Sequence, residues 1–96
     1  MIERRVTIGW ADGLHARPAS VFVRAAMATG VPVTIARPGG APVNAASLLA
    51  VLTLGAQGGD EVVLASSAED TPAAEEAVDR LARLVSEGLD ELPEKA

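Results

Sequence analysis

Several residue types are absent from this chain of 96 residues or occur only once. There is no cysteine, so disulfides, thiolate zinc sites and cysteine nucleophiles are excluded. There is no tyrosine, and one tryptophan with one phenylalanine leaves no aromatic platform for stacking nucleic-acid bases. With 13 acidic against 8 basic residues and a formal net charge of -5, the chain also lacks the basic surface of a general nucleic-acid binder.

Long apolar runs are absent as well. Residues 1–6 carry charges where a signal peptide needs an apolar segment, and no uninterrupted apolar run approaches about 18 residues. We therefore expect a cytoplasmic protein without direct membrane contact. The length suits a single core with a surface site, and we assign one domain to residues 1–88 and an acidic, loosely ordered tail to residues 89–96.

Hydrophobic periodicity predicts a mixture of strands and helices. Alternating or continuous apolar runs predict strands at residues 4–9, 31–36, 41–44 and 61–66. Apolar residues at helical spacing predict helices at residues 16–29, 48–54 and from 72 onwards. The order β-α-β-β-α-β-α, with one apolar face per helix, predicts an α+β open-faced sandwich whose helices lie on one face of the sheet.

The single histidine lies at a predicted helix start. Pro18 is tolerated in a first helical turn, which places the start at Ala16 and makes His15 the cap residue. The free N–H groups of Ala16 and Arg17 and the positive end of the helix dipole suit an anion, and the guanidinium of Arg17 suits phosphate oxygens. We therefore predict His15 as a nucleophile that accepts a phosphoryl group, assisted by Arg17.

Two motifs resemble those of a known family. Residues 13–19, Gly-Leu-His-Ala-Arg-Pro-Ala, resemble the phosphohistidine motif of the HPr family, the histidine-containing phosphocarriers of the bacterial phosphoenolpyruvate-dependent sugar phosphotransferase system. Residues 43–49 with 54–56 resemble that family's second signature, around its regulatory serine. The likeness spans almost the whole chain, and only the tail extends beyond a typical member.

This resemblance implies a four-stranded antiparallel sheet covered by three helices. It also implies that His15 takes a phosphoryl group on Nδ1 from phosphorylated Enzyme I, with Arg17 in contact, and passes it to sugar-specific IIA components. The chain would then be a monomeric carrier rather than an enzyme, and it would need no cofactor or metal. The family's partner-binding surface carries over to seven positions, namely Ala16, Ser20, Arg24, Met27, Leu48, Leu49 and Leu52.

Ser47 is the basis of the main alternative. It resembles a helix N-cap, and in part of the family the matching serine is phosphorylated by an ATP-dependent kinase. Ala46 and Ala50 depart from the lysine and the glycine usual around that serine. In this alternative the chain is a regulatory interaction module, in which phosphorylated Ser47 or the Leu48–Leu49 patch recruits a transcription factor or an enzyme.

A metal-dependent hydrolase using His15 is disfavoured, because one histidine without nearby paired carboxylates does not build an ordinary catalytic metal site. Trp10 is either a partly exposed anchor near His15 or a loop residue packed over the core, and the sequence leaves both open.

Overall fold

The structure is a computed structural model that describes residues 2–67 and 71–93. Within these residues, antiparallel strands form a sheet of order β1-β4-β2-β3, and three helices accompany it. The predicted α+β architecture and element order are confirmed. Residue 1 and residues 68–70 of the predicted domain, and residues 94–96 of the predicted tail, lie outside the described residues. The elements are β1 (Ile2–Thr7), α1 (Ala16–Thr29), β2 (Thr34–Ala36), β3 (Val43–Asn44), α2 (Leu48–Thr53), β4 (Glu61–Ser66) and α3 (Pro72–Glu87).

The sheet is buried on one face. In β4, Val62 and Leu64 are fully buried, whereas Val63 and Ala65 between and beyond them are half-buried. Leu64 lies opposite Ile35 of β2, which is also fully buried. This period of two is typical of an antiparallel sheet that is covered by helices on one side only.

The helices bury a single stripe each against that face. The only phenylalanine, Phe22 of α1, is fully buried, as are Val51 of α2 and Leu81 of α3. These residues belong to one cluster with the inward side chains of the strands. Within the described residues, no helix combines the length and the apolarity needed to span a bilayer.

β1 ends earlier than predicted, because Ile8 bonds only to the turn that precedes β4 and Gly9 bonds to α3. The N–H of Ile8 donates to the carbonyl of Asp60 at 2.9 Å, and the N–H of Gly9 donates to the carbonyl of Val85 in α3 at 2.8 Å. The chain therefore leaves the sheet at this point and crosses toward the end of α3.

β2 begins three residues later than predicted. Pro32 has no N–H to donate, and the N–H of Val31 donates to Thr29 Oγ1 at 3.2 Å instead of to a neighbouring strand. β3 likewise begins later than predicted, at Val43, directly after Pro42, which also has no N–H to donate. Between β2 and β3 the chain makes a tight turn, with Gly39 at φ 77° and the N–H of Gly40 donating to the carbonyl of Arg37 at 2.8 Å.

The residues after α3 pack against the domain. Leu89 and Leu92 are half-buried against the core, and the indole Nε1 of Trp10 donates to the carbonyl of Leu89 at 3.2 Å. Arg80 Nε donates to the carbonyl of Pro93 at 2.7 Å. The expectation of a loosely ordered tail does not hold for residues 89–93, which we call the terminal strap, because two leucines among the acidic residues anchor it. Of the two alternatives for Trp10, the structure shows the one in which it packs over the core. The domain boundary at residue 88 stays a prediction.

Candidate functional site

The loop before α1 is anchored by its buried residue. Leu14 is almost fully buried, and its N–H donates to the carbonyl of Ala56 at 2.9 Å. The N–H of His15 donates to the carbonyl of Gly13 at 3.0 Å. His15 is exposed, so a backbone held by hydrogen bonds presents its imidazole to solvent.

Two glycines permit the close approach that fixes this loop. Gly13 has φ 73°, and a Cβ there would collide with the carbonyl of Ala56 and with Cα of Gln57. A Cβ on Gly58 would collide with the backbone carbonyl of Ala11. The loop of residues 10–15 and the turn of residues 55–58 thus meet backbone to backbone. The sequence does not reveal this role of Gly58, because two adjacent glycines are equally typical of an ordinary turn.

α1 begins at Ala16 with His15 as the cap residue, as predicted. His15 has an extended backbone, at φ -134° and ψ 145°, and its side chain makes no capping hydrogen bond. Pro18 has no N–H, so the N–H groups of Ala16 and Arg17 are the donors of the first turn that receive no capping acceptor from His15. Ala16 itself lies at φ 41°, a region that costs a non-glycine residue about 1–2 kcal/mol.

Arg17 stands exposed in a first turn that contains no acidic residue. A cation at a helix N-terminus is electrostatically unfavourable, and no acidic neighbour in that turn offsets it. Its Nη2 lies 3.8 Å from Oδ1 of Asp90 in the terminal strap. The sequence reading missed Asp90, because it placed that residue in a loose tail.

An open groove of about 450 Å³ runs beside His15. Its lining includes Asp12 from the loop, Gln57 from the turn and Leu52 from α2. The groove is open and polar rather than enclosed, so its His15 side is accessible to solvent. Within the described part of the chain, no three acidic or histidine side chains cluster as a set of metal ligands.

The predicted partner-binding residues lie on adjacent helices. α1 packs against α2, and Ala16 and Arg24 of α1 are exposed, whereas Ser20 is half-buried. Arg24 Nη2 donates to Ser20 Oγ at 3.5 Å. The large apolar side chains are exposed to the extent of 63% for Met27, 43% for Leu48, 74% for Leu49 and 38% for Leu52.

Ser47 caps α2, as predicted. Its Oγ accepts a hydrogen bond from the N–H of Ala50 at 3.3 Å, and the residue is half-buried. Just before it, Asn44 Oδ1 accepts from the N–H of Ala46 at 2.9 Å. The start of α2 is therefore satisfied by side chains, unlike the start of α1.

Comparison with known proteins places this geometry in a family. The family model for the phosphorylation site of the HPr component of the phosphotransferase system (PTS) matches residues 2–87. The phosphocarrier protein HPr of Streptomyces coelicolor is 73% identical over 94 residues, which are 98% of each chain. The HPr-like protein Crh of Bacillus subtilis is 34% identical over 91% of this chain and 98% of its own.

Solved structures agree with the sequence relatives. The crystal structure of HPr from Bacillus anthracis superposes with a TM-score of 0.77 at 32% identity, covering 88% of this chain and 95% of that one. HPr from Thermoanaerobacter tengcongensis superposes with a TM-score of 0.74 at 30% identity, covering 93% and 98%. The chain therefore belongs to the HPr family, the phosphocarriers of the phosphotransferase system.

Proposed function

We propose that this protein carries a phosphoryl group on His15, which it accepts from phosphorylated Enzyme I and passes to sugar-specific IIA components. The observation that supports this most directly is the exposed imidazole at a helix N-terminus that no side chain caps. Membership of the HPr family supports the same role. We further propose that it acts as a cytoplasmic monomer.

Transfer exchanges one phosphorus–nitrogen bond for another. The lone pair of the unprotonated imidazole nitrogen of His15, Nδ1 by analogy with the family, forms a bond to phosphorus. The phosphorus–nitrogen bond of the donor phosphohistidine breaks, and its electron pair returns to the donor nitrogen. The protein's part is to position the groups in line and to stabilise charge on the phosphoryl oxygens.

Arg17 and the first turn of α1 supply that stabilisation in this proposal. The N–H groups of Ala16 and Arg17 and the guanidinium are donors suited to phosphoryl oxygens. These are few donors at an open surface, in contrast to the enclosing loop of a nucleotide-binding site. A small number of donors suits a carrier, because a tightly enclosed phosphoryl group would not leave for the next acceptor.

Docking is assigned to the exposed face of α1 and α2. A partly apolar centre with cationic residues beside it suits a small transient interface. The acidic remainder of the surface, with a formal net charge of -5 overall, would direct an acidic partner surface toward this face. The residues assigned to this face are Ala16, Ser20, Arg24, Met27, Leu48, Leu49 and Leu52.

The test is incubation with phosphoenolpyruvate and a general Enzyme I, followed by intact mass measurement with and without acid treatment. We expect one phosphoryl group that acid removes, because phosphohistidine is acid-labile whereas phosphoserine is not. The variant Ser47→Ala, which keeps His15, should incorporate the same acid-labile group. Incorporation that survives acid and disappears in Ser47→Ala would instead support the regulatory module.

Arg17→Ala tests the proposed role of the guanidinium. We expect transfer to slow by about tenfold, the equivalent of one charge-assisted hydrogen bond at an exposed site, while the acceptor stays competent. Rapid-quench kinetics with phosphorylated Enzyme I measure the rate. An unchanged rate would exclude Arg17 from the transfer.

A further inference from the structure

The terminal strap holds one carboxylate in a defined place. Leu89, the residue before Asp90, is bonded through both backbone groups, since its N–H donates to Leu84 at 3.0 Å and its carbonyl accepts from Trp10 at 3.2 Å. On the other side of Asp90, Leu92 packs on the core. The position of Asp90 is thus set by anchors on both sides and not by its own ion pair.

That carboxylate is paired with the cation assigned to the phosphoryl group. Asp90 Oδ1 lies 3.8 Å from Nη2 of Arg17, and the two side chains line one open groove between the strap and α1. Asp90 lies three residues beyond the segment that the family model matches. We propose that Asp90 is a positioning residue: it holds the Arg17 guanidinium in the unphosphorylated protein and releases it to the phosphoryl group on His15.

The exchange follows from charge and exposure. A phosphoryl group carries more negative charge than one carboxylate, so it attracts the guanidinium more strongly. The side chains of Arg17 and Asp90 are 79% and 76% exposed, and ion pairs as exposed as this one are weak. Asp90 therefore keeps Arg17 near the site without withholding it, and it competes mildly with the phosphoryl group.

This inference rests on the proposed function. It predicts the direction in which a substitution of Asp90 shifts the equilibrium between unphosphorylated and phosphorylated protein. Removing the competing carboxylate leaves Arg17 free for the phosphoryl group, so Asp90→Asn should favour the phosphorylated form by about twofold to fivefold. The gain should shrink as salt is raised, because both charges are exposed.

Competition for a limited pool of phosphoryl groups measures this directly. Uniformly ¹⁵N-labelled wild-type protein and unlabelled variant are mixed with catalytic Enzyme I and limiting phosphoenolpyruvate, and intact masses give the phosphorylated fraction of each at equilibrium. Glu91→Gln is the matched control, because it removes the same charge from the same segment but Glu91 forms no ion pair with any residue in the described ranges. We call the partition the ratio of phosphorylated to unphosphorylated variant divided by the same ratio for wild type. It should exceed one for Asp90→Asn and stay near one for Glu91→Gln.

A second comparison asks whether Asp90 acts through Arg17. In an Arg17→Gln background, adding Asp90→Asn should leave the partition unchanged. A partition of one for Asp90→Asn alone, an equal shift for Glu91→Gln, or an undiminished shift in the Arg17→Gln background would each overturn the inference. If wild-type protein acquires no acid-labile phosphoryl group, the proposed function fails and this inference fails with it.

Discussion

The N-termini of α1 and α3 solve the same problem in opposite ways. α3 begins with Thr71, whose Oγ1 accepts from the N–H of Ala74 at 3.1 Å, followed by Pro72 and then by Glu75 in the first turn. Each of these features stabilises a helix start. At the start of α1, the side chain of the cap residue His15 makes no capping hydrogen bond. Ala16 lies at positive φ, and Arg17 places a cation in the first turn.

The start of α3 stabilises its own helix, whereas the start of α1 suits the role proposed for His15. α3 uses its first turn to satisfy its own backbone, whereas the first turn of α1 leaves the N–H groups of Ala16 and Arg17 without a capping side chain beside an exposed His15. Sites that bind or react are where local rules of stability are broken, because the unsatisfied groups are the ones a ligand satisfies. Substitutions at the two helix starts and in the loop before α1 test this contrast.

His15→Ala should produce the largest effect. We expect complete loss of the acid-labile phosphoryl group, while the free energy of unfolding changes by less than about 0.5 kcal/mol, because the exposed ring makes no capping hydrogen bond. Intact mass after reaction with Enzyme I and urea denaturation measure the two quantities. Acid-labile phosphorylation of the folded variant would remove His15 as the acceptor.

Gly13→Ala should be the most destabilising of these changes. The added Cβ meets the backbone at 56–57 and the residue already lies at positive φ, so we expect a loss of about 2 kcal/mol or more and slower phosphoryl transfer. Gly30→Ala is the matched control, because Gly30 also has a positive φ of 68° but a Cβ there would meet no atom within 4 Å. Equal losses of unfolding free energy for the two variants would show that the backbone contact contributes nothing.

Thr71→Ala should show the reverse of His15→Ala. Loss of the capping hydrogen bond should lower the free energy of unfolding by about 1 kcal/mol, while phosphoryl acceptance stays at the wild-type rate. Urea denaturation beside a phosphorylation time course tests both. A slowed time course would connect the start of α3 to the site and weaken the contrast.

Ala16→Gly should have the smallest effect. Glycine removes the cost of φ 41°, partly offset by its greater freedom in the unfolded chain, so we expect a gain in unfolding free energy of less than about 1 kcal/mol. Ala28→Gly, an exposed site in the same helix, should instead lose up to about 1 kcal/mol. Chemical denaturation measures both, and a loss at Ala16 would argue against strain there.

The local elements were predictable because their signals are local. Pro18 and Gly30 are the local signals that bound α1, and Thr71 with Pro72 is the local signal for the start of α3. The same proline argument located His15 at a helix start. The strand order and the ends of β1 were not accessible, because the N–H of Gly9 bonds to Val85, which is 76 residues away in the chain.

The site was only partly predictable for a related reason. His15 and Arg17 belong to one motif, but their surroundings come from elsewhere in the chain. Gly58 approaches the loop through backbone contacts that no side-chain pattern encodes, and Asp90 reaches Arg17 because two leucines fix the terminal strap. Because residues 89–96 are rich in acidic side chains, the sequence did not indicate that Leu89 and Leu92 fix the position of Asp90.

The indole hydrogen bond of Trp10 has an optical consequence. Trp10 is the only tryptophan, it is 9% exposed, and its Nε1 donates to Leu89 in the terminal strap. Its fluorescence is therefore a built-in reporter of strap release: detachment of residues 89–93 would hydrate the indole and shift its emission to longer wavelength without unfolding the sheet. A spectroscopist can follow that event in the native sequence, with no dye attached.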